Sequence, residues 1–184
     1  MAGLQQQEDQ ERIHLRYFDA SGLSLTPVVP DGWQPMGETY CLPCERSPRL
    51  NLLGFLGRKN ELFFRTSEQS VNTDTVIAAF DAFAEDYYES EFKQSGKLCF
   101  VVLDNASMHR SQAFTRKMDD WLIRGVIPRF LPPYCPELNL IEILWRKLKY
   151  QGLPMSAYQS LTRLKTSVVE VLENVGSKFL ITFK

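Results

Sequence analysis

The longest uninterrupted apolar run in the chain is Leu98-Cys99-Phe100-Val101-Val102-Leu103, and it stops at Asp104. A strand that is apolar on both faces belongs in the centre of a sheet covered from both sides. The run is also far short of the roughly 20 residues needed to cross a bilayer. The constraint is therefore a layered protein whose innermost strand ends on a carboxylate.

The rest of the chain supplies the layers. Ile13, Leu15 and Tyr17 alternate with His14 and Arg16, predicting a first strand that runs into Phe18-Asp19, with Asp19-Ala20-Ser21-Gly22 as its end or a bend. The turn-rich stretch Thr26–Glu38 reads as an irregular excursion. Leu50–Leu56 and Glu61–Arg65 predict a hairpin turning at Gly57-Arg58-Lys59-Asn60. Asn72 has the chemistry of an N-cap, and Val76, Ala79, Phe80, Phe83 and Tyr87 recur at helical spacing to about Phe92. A helix over Gln112–Leu122, a strand over Val126–Leu131 and two amphipathic helices over Leu138–Leu148 and Leu161–Val175 complete the pattern. Strands first, then strands alternating with helices, predict an α/β fold: a mixed five-stranded sheet with helices on both faces.

The length of 184 residues suits one domain, and 44% hydrophobic with 23% charged residues excludes a disordered tail, a collagen-like fibre or a coiled coil. Residues 1–11 are polar and are expected to fray. With no secretory signal in that opening, a cytoplasmic location without membrane attachment is expected. The net charge of −1 conceals polarity along the chain: residues 1–104 carry 9 basic and 16 acidic side chains, residues 105–184 carry 12 and 6. A basic second half can face a polyanion without an extreme isoelectric point, although it could also serve only to attract the acidic half. Cys41 and Cys44 form a lone C-x-x-C with no second pair, and His14 and His109 are isolated, which is incomplete for zinc. Cys99 reads as a small core residue of a reduced protein.

Three carboxylates stand out by placement: Asp19 at the end of the first strand, Asp104 closing the buried one, and Glu142 on the helix after Pro136. Asn139, Glu142, Arg146 and Lys149 share one face of that helix, opposite its leucines and Trp145. Acids brought together at the carboxyl end of an α/β sheet suit hard divalent cations. Taken singly, each has a plainer explanation: a strand-end Asp caps a turn, and Glu142 can pair with Arg146.

The local wording goes further. Leu103-Asp104-Asn105-Ala106-Ser107-Met108-His109 and Leu131-Pro132-Pro133-Tyr134-Cys135-Pro136-Glu137-Leu138-Asn139-Leu140-Ile141-Glu142-Ile143-Leu144-Trp145 resemble the catalytic core of DDE transposases. The likeness is to the insertion sequence 630 type of the mariner superfamily, with its LDNAxxH and LPPYSPxLNPIExxW motifs. Phe18-Asp19-Ala20-Ser21-Gly22, with Gly32-Trp33 and Gly37 downstream, is similar to the region around that family's first Asp. The resemblance spans about residues 12–175. Cys135 replaces the usual serine and Leu140 the usual proline, and Glu142 follows Asp104 by 38 positions, longer than the commonest spacing.

The resemblance implies a ribonuclease H-like fold over residues 12–184 and phosphoryl transfer on DNA with two Mg²⁺ or Mn²⁺ ions. It makes Asp19, Asp104 and Glu142 the catalytic and metal-holding triad, with Asp19 bridging the ions. Asn105 and His109 follow as auxiliary residues, while Arg110, Arg116, Lys117, Arg146, Lys147 and Lys149 are candidates for contacting DNA phosphates. The implied partners are transposon ends and target DNA, handled by a homo-oligomer in the bacterial nucleoid. The helix-turn-helix region such proteins carry ahead of the first strand has no counterpart pattern before Asp19, so the chain is expected to correspond to the catalytic half. A ribonuclease H-like nuclease without strand transfer, and a catalytically silent DNA-binding remnant, are the alternatives.

Overall fold

The computed structural model describes residues 1–27, 36, 48–132 and 135–183. Cys41 and Cys44, together with Gly32, Trp33, Gly37 and most of the turn-rich excursion, lie outside them. The chain runs α1 (Ala2–Asp9), β1 (His14–Leu23), β2 (Leu50–Gly57), β3 (Leu62–Ser67) and α2 (Thr73–Tyr87). A π-turn, Tyr88–Phe92, leads into the short α3 (Lys93–Ser95). Then come β4 (Cys99–Leu103), α4 (Gln112–Ile123), β5 (Val126–Phe130), α5 (Ile141–Lys147) and α6 (Leu161–Glu173). The five strands form one sheet in the order β3-β2-β1-β4-β5. β1 pairs antiparallel with β2 and parallel with β4, and β4 pairs parallel with β5. The apolar run is thus an inner strand, as its composition requires.

Side-chain alternation splits the core into two layers. On one face, Leu15, Tyr17, Leu23, Leu52, Leu56 and Val102 pack with Ile141, Leu144, Trp145 and Leu148 of α5 and with Leu164, Val168 and Leu172 of α6. On the other, Phe18, Leu53, Phe55, Val101 and Leu103 pack with Val76, Phe80 and Phe83 of α2 and with Phe114 and Trp121 of α4. Pro128 sits in β5, an edge strand, where a missing N–H is tolerated. The N-cap of α2 is a reciprocal box: Thr75 N–H donates to Asn72 Oδ1 at 2.9 Å, and Asn72 N–H donates to Thr75 Oγ1 at 2.8 Å.

Three expectations are corrected. Residues 2–9 do not fray: they form a helix tied down through Glu8, which accepts from Leu15 N–H at 3.1 Å, and through Arg58, which bonds Glu8 at 3.1 Å and Asp9 at 2.8 Å. The first strand does not end at Asp19. Ala20, Ser21 and Gly22 read as a turn in isolation, yet the register with β2 continues from Asp19↔Gly54 to Leu23↔Leu50. Asn139 is not on the helix: α5 begins at Ile141, after a 3₁₀ turn at Pro136–Leu138.

Gly54 fixes how closely α5 approaches the sheet. It lies opposite Asp19 and faces α5, and a Cβ there would stand 2.9 Å from Trp145 Cη2 and 3.0 Å from Ile141 Cδ1. The indole and Ile141 occupy the space a side chain would take. Gly54→Ala is therefore expected to destabilise the fold by about 1–3 kcal/mol through overpacking. A thermal melt checks this, and an unchanged midpoint would show that the helix gives way freely.

Candidate active site

Asp19 shares the pleat parity of Tyr17 and Leu23, so it points to the α5 side of the sheet. Glu142 lies in the first turn of α5 and reaches the same space. Both line a cavity of about 310 Å³, together with Ser21, Trp145, Arg146, Lys149 and Tyr150. The helical spacing of Glu142, Arg146 and Lys149 read from the sequence thus becomes one wall.

Asp104 leaves the end of β4 with its side chain about half exposed. Its Oδ1 accepts from Ala106 N–H at 3.0 Å and from His109 Nδ1 at 2.8 Å. That contact makes Nδ1 the protonated nitrogen of His109. The His109 bond, followed by the Ala106 amide, holds the Asp104 carboxyl below the usual carboxylate range against its partial burial. His109 is itself 4% exposed, between Phe18 and Phe114, and its Nε2 is buried without a hydrogen bond among the described residues. Asn105 donates from Nδ2 to Leu131 O at 2.6 Å, tying the β4 exit to the end of β5.

Asp19 is under electrostatic pressure. Burial, reinforced by the charges of Asp104 and Glu142, pushes its pKa from 3.8 up to about 6, against the relief of a hydrogen bond from Ala20 N–H. Asp19 is thus close enough to feel both of the other carboxylates. The three are not gathered into a finished ligand set: among the described residues no three His, Cys, Asp or Glu side chains stand together closely enough to hold a metal ion. The donors are nevertheless all oxygen, and Asp19, whose pKa is raised, is the one a nearby cation would relieve. That chemistry fits Mg²⁺ or Mn²⁺, which Asp19 and Glu142 would hold from the two walls of the cavity and Asp104 from the β4 end.

The six basic candidates separate into groups. Arg146 and Lys149 line the acidic cavity; burial lowers the Lys149 pKa, Asp19 raises it and Arg49 lowers it further. Arg110 and Arg116, both exposed, line a separate cavity of about 270 Å³ with Gln112 and Thr115. Two others have different work. Lys117 is paired with Asp81 of α2 at 3.1 Å and with Asp120 at 3.5 Å. Lys147 donates to Leu180 O at 2.5 Å and lies 4.9 Å over the Phe179 ring, because five residues along a helix from Glu142 point away from it. Gly54 and Arg49 were not legible as site residues, although a glycine inside an apolar strand could have marked a close approach. Asn139 was legible as a neighbour of Glu142, but on the helix face rather than in the turn ahead of it.

Ionising Asp19 costs the folded protein on the order of 2–3 kcal/mol at pH 7.5. Because the folded pKa is raised, this cost is present above about pH 6 and fades as pH falls toward the unfolded value near 4. Asp19→Asn is expected to stabilise the metal-free protein at pH 7.5 and to give no advantage below pH 4. Urea denaturation in EDTA at the two pH values measures it, and equal effects at both would remove the burial argument.

Comparison with known proteins follows the same lines. The family model of the DDE superfamily endonucleases matches residues 14–165. No curated protein matches the sequence significantly. Among solved structures, the Mos1 transposase paired-end complex with left transposon end superposes with a TM-score of 0.62 at 10% identity, covering 97% of this chain and 57% of that one. The catalytic domain of Mos1 mariner transposase gives 0.54 at 11% identity, covering 97% and 85%. The simian T-cell lymphotropic virus intasome gives 0.51 at 11%, covering 92% and 50%. The chain therefore spans little more than half the length of the full transposase it resembles. It has the ribonuclease H-like fold and belongs to the DDE superfamily endonucleases.

Proposed function

We propose that this chain is the catalytic domain of an insertion-sequence transposase, which cleaves DNA at transposon ends and joins them to target DNA with two Mg²⁺ or Mn²⁺ ions. The observation that carries the reading is the shared cavity of Asp19 and Glu142, with the Asp104 charge reaching Asp19, on a DDE endonuclease fold. Structural neighbours bound to a transposon end and crystallised with Mn or Mg support it. When bound, the cations would neutralise the scissile phosphate and make the attacking oxygen more acidic. Asp19, Asp104 and Glu142 would hold them. His109 fixes Asp104 through Oδ1, so the carboxylate presents Oδ2. Arg146 and Lys149 are placed to take phosphate oxygens beside the carboxylates, orienting the strand for in-line attack. The reading extends to a homo-oligomer acting on DNA in the bacterial nucleoid.

Glu142→Gln is expected to abolish Mn²⁺-dependent nicking of a terminal-repeat duplex while leaving the fold intact, since Gln keeps the shape but lacks the charge. Glu137→Gln, on an exposed side chain in the preceding 3₁₀ turn, should retain most cleavage. Equal loss in both would mean a different acid carries the chemistry, and nicking without joining would favour a plain nuclease. For DNA binding, Arg146→Ala and Lys149→Ala should each weaken duplex affinity and lower the salt slope by about 1. Lys147→Ala and Lys117→Ala should leave both nearly unchanged. Fluorescence anisotropy at two salt concentrations tests this, and a slope change at Lys147 would overturn the assignment.

A further inference from the structure

We infer that Asn139 is a positioning residue that sets the separation of Asp19 and Glu142; what that separation serves rests on the function proposed above. The β1–β4 ladder runs from His14↔Cys99 to Tyr17↔Val102 and ends there. β1 continues to Leu23 with only β2 beside it in the sheet. The next β1 carbonyl, Phe18 O, accepts instead from Asn139 Nδ2 at 3.0 Å. The Asn139 main-chain oxygen in turn accepts from Glu142 N–H at 3.1 Å. One side chain thus links the backbone immediately before Asp19 to the first turn of the helix carrying Glu142.

The residue type fits this task better than simple packing. Asn139 is 3% exposed, and its Oδ1 is buried with no hydrogen-bond partner among the described residues. A leucine would fill the volume without burying an unsatisfied oxygen, so packing alone does not account for an amide here. Reversing the amide would set an oxygen against Phe18 O, which fixes its orientation. Asp would lose the donor. Asn105 does similar work at the neighbouring strand end, where its amide takes Leu131 O after β4 and β5 part.

The decisive experiment needs no metal and no activity. Thermal midpoints are measured in EDTA at pH 7.5 for Asp19→Asn, Glu142→Gln and the double variant, in the parent and in Asn139→Ala and Asn139→Leu backgrounds, with near-ultraviolet circular dichroism reporting the fold. In the parent, the gain from Asp19→Asn should shrink when Glu142 is already Gln, because one repelling charge is gone. In both Asn139 backgrounds that difference should fall to within error. Should one background fail to fold, the other decides. A coupling of undiminished size in a folded Asn139 variant overturns the inference and leaves Asn139 a fold clamp. In parallel, Mn²⁺ is titrated against tryptophan fluorescence, which Trp145 in the cavity makes sensitive to the site. Parent protein should bind Mn²⁺, and the Asn139 variants should bind it about 10-fold more weakly. Absence of Mn²⁺ binding by the parent would defeat the proposed function, while the metal-free cycle would still decide the role of Asn139. Unchanged Mn²⁺ affinity in the variants would count against the positioning role.

Discussion

The site depends on two parallel strands parting. β1 and β4 stay hydrogen-bonded only to Tyr17 and Val102, and each then runs on to deliver a carboxylate, Asp19 from within β1 and Asp104 just past the end of β4. Crevices of this kind at strand ends are where open α/β sheets build their sites. The parting leaves Phe18 O in need of a partner, which Asn139 supplies, and Asn105 does the same for Leu131 where β4 and β5 part. The polar side chains nearest the acids are thus partly repairs to the sheet. That is why Asn139, an amide, is found buried there.

The second constraint is the closeness of α5. A helix can place a glutamate opposite a mid-strand aspartate only if nothing stands between them. Gly54 clears that space, and Trp145 and Ile141 settle into it. Trp145 joins the two roles, because it belongs to the core and also lines the cavity. Its buried Nε1 has no partner among the described residues, a further polar cost concentrated near the acids.

Electrostatics explains why the arrangement is incomplete by itself. Asp19 is held among two other carboxylates, and burial first, then their charges, push its pKa up to about 6. Asp104 moves the other way because His109 and Ala106 satisfy it. Two acids in one site, one relieved and one strained, describe a site that favours binding positive charge.

Much of this was legible in the chain. The apolar run ending at Asp104 determined an inner strand, because no exposed face could tolerate it. The leucine spacing after Pro136 determined which side of α5 is buried, and with it that Glu142, Arg146 and Lys149 face together. The motif wording around Asp104 and Glu142 identified the family. Other features came only from tertiary structure. Local propensity made Ala20-Ser21-Gly22 a turn, whereas pairing with β2 made it strand. Charge alone made Lys117 and Lys147 equal to Arg146, whereas packing against α2 and the chain near Phe179 gave both a different partner. The roles of Gly54 and Asn139 depend on contacts between segments distant in sequence: Asn139 reaches Phe18, and Gly54 makes room for Trp145. The sequence by itself determined what each element is and which face it buries, since periodicity and burial are local properties. The distance between the carboxylates was decided by where strands stop pairing and how near a helix can come, and only the assembled fold sets those.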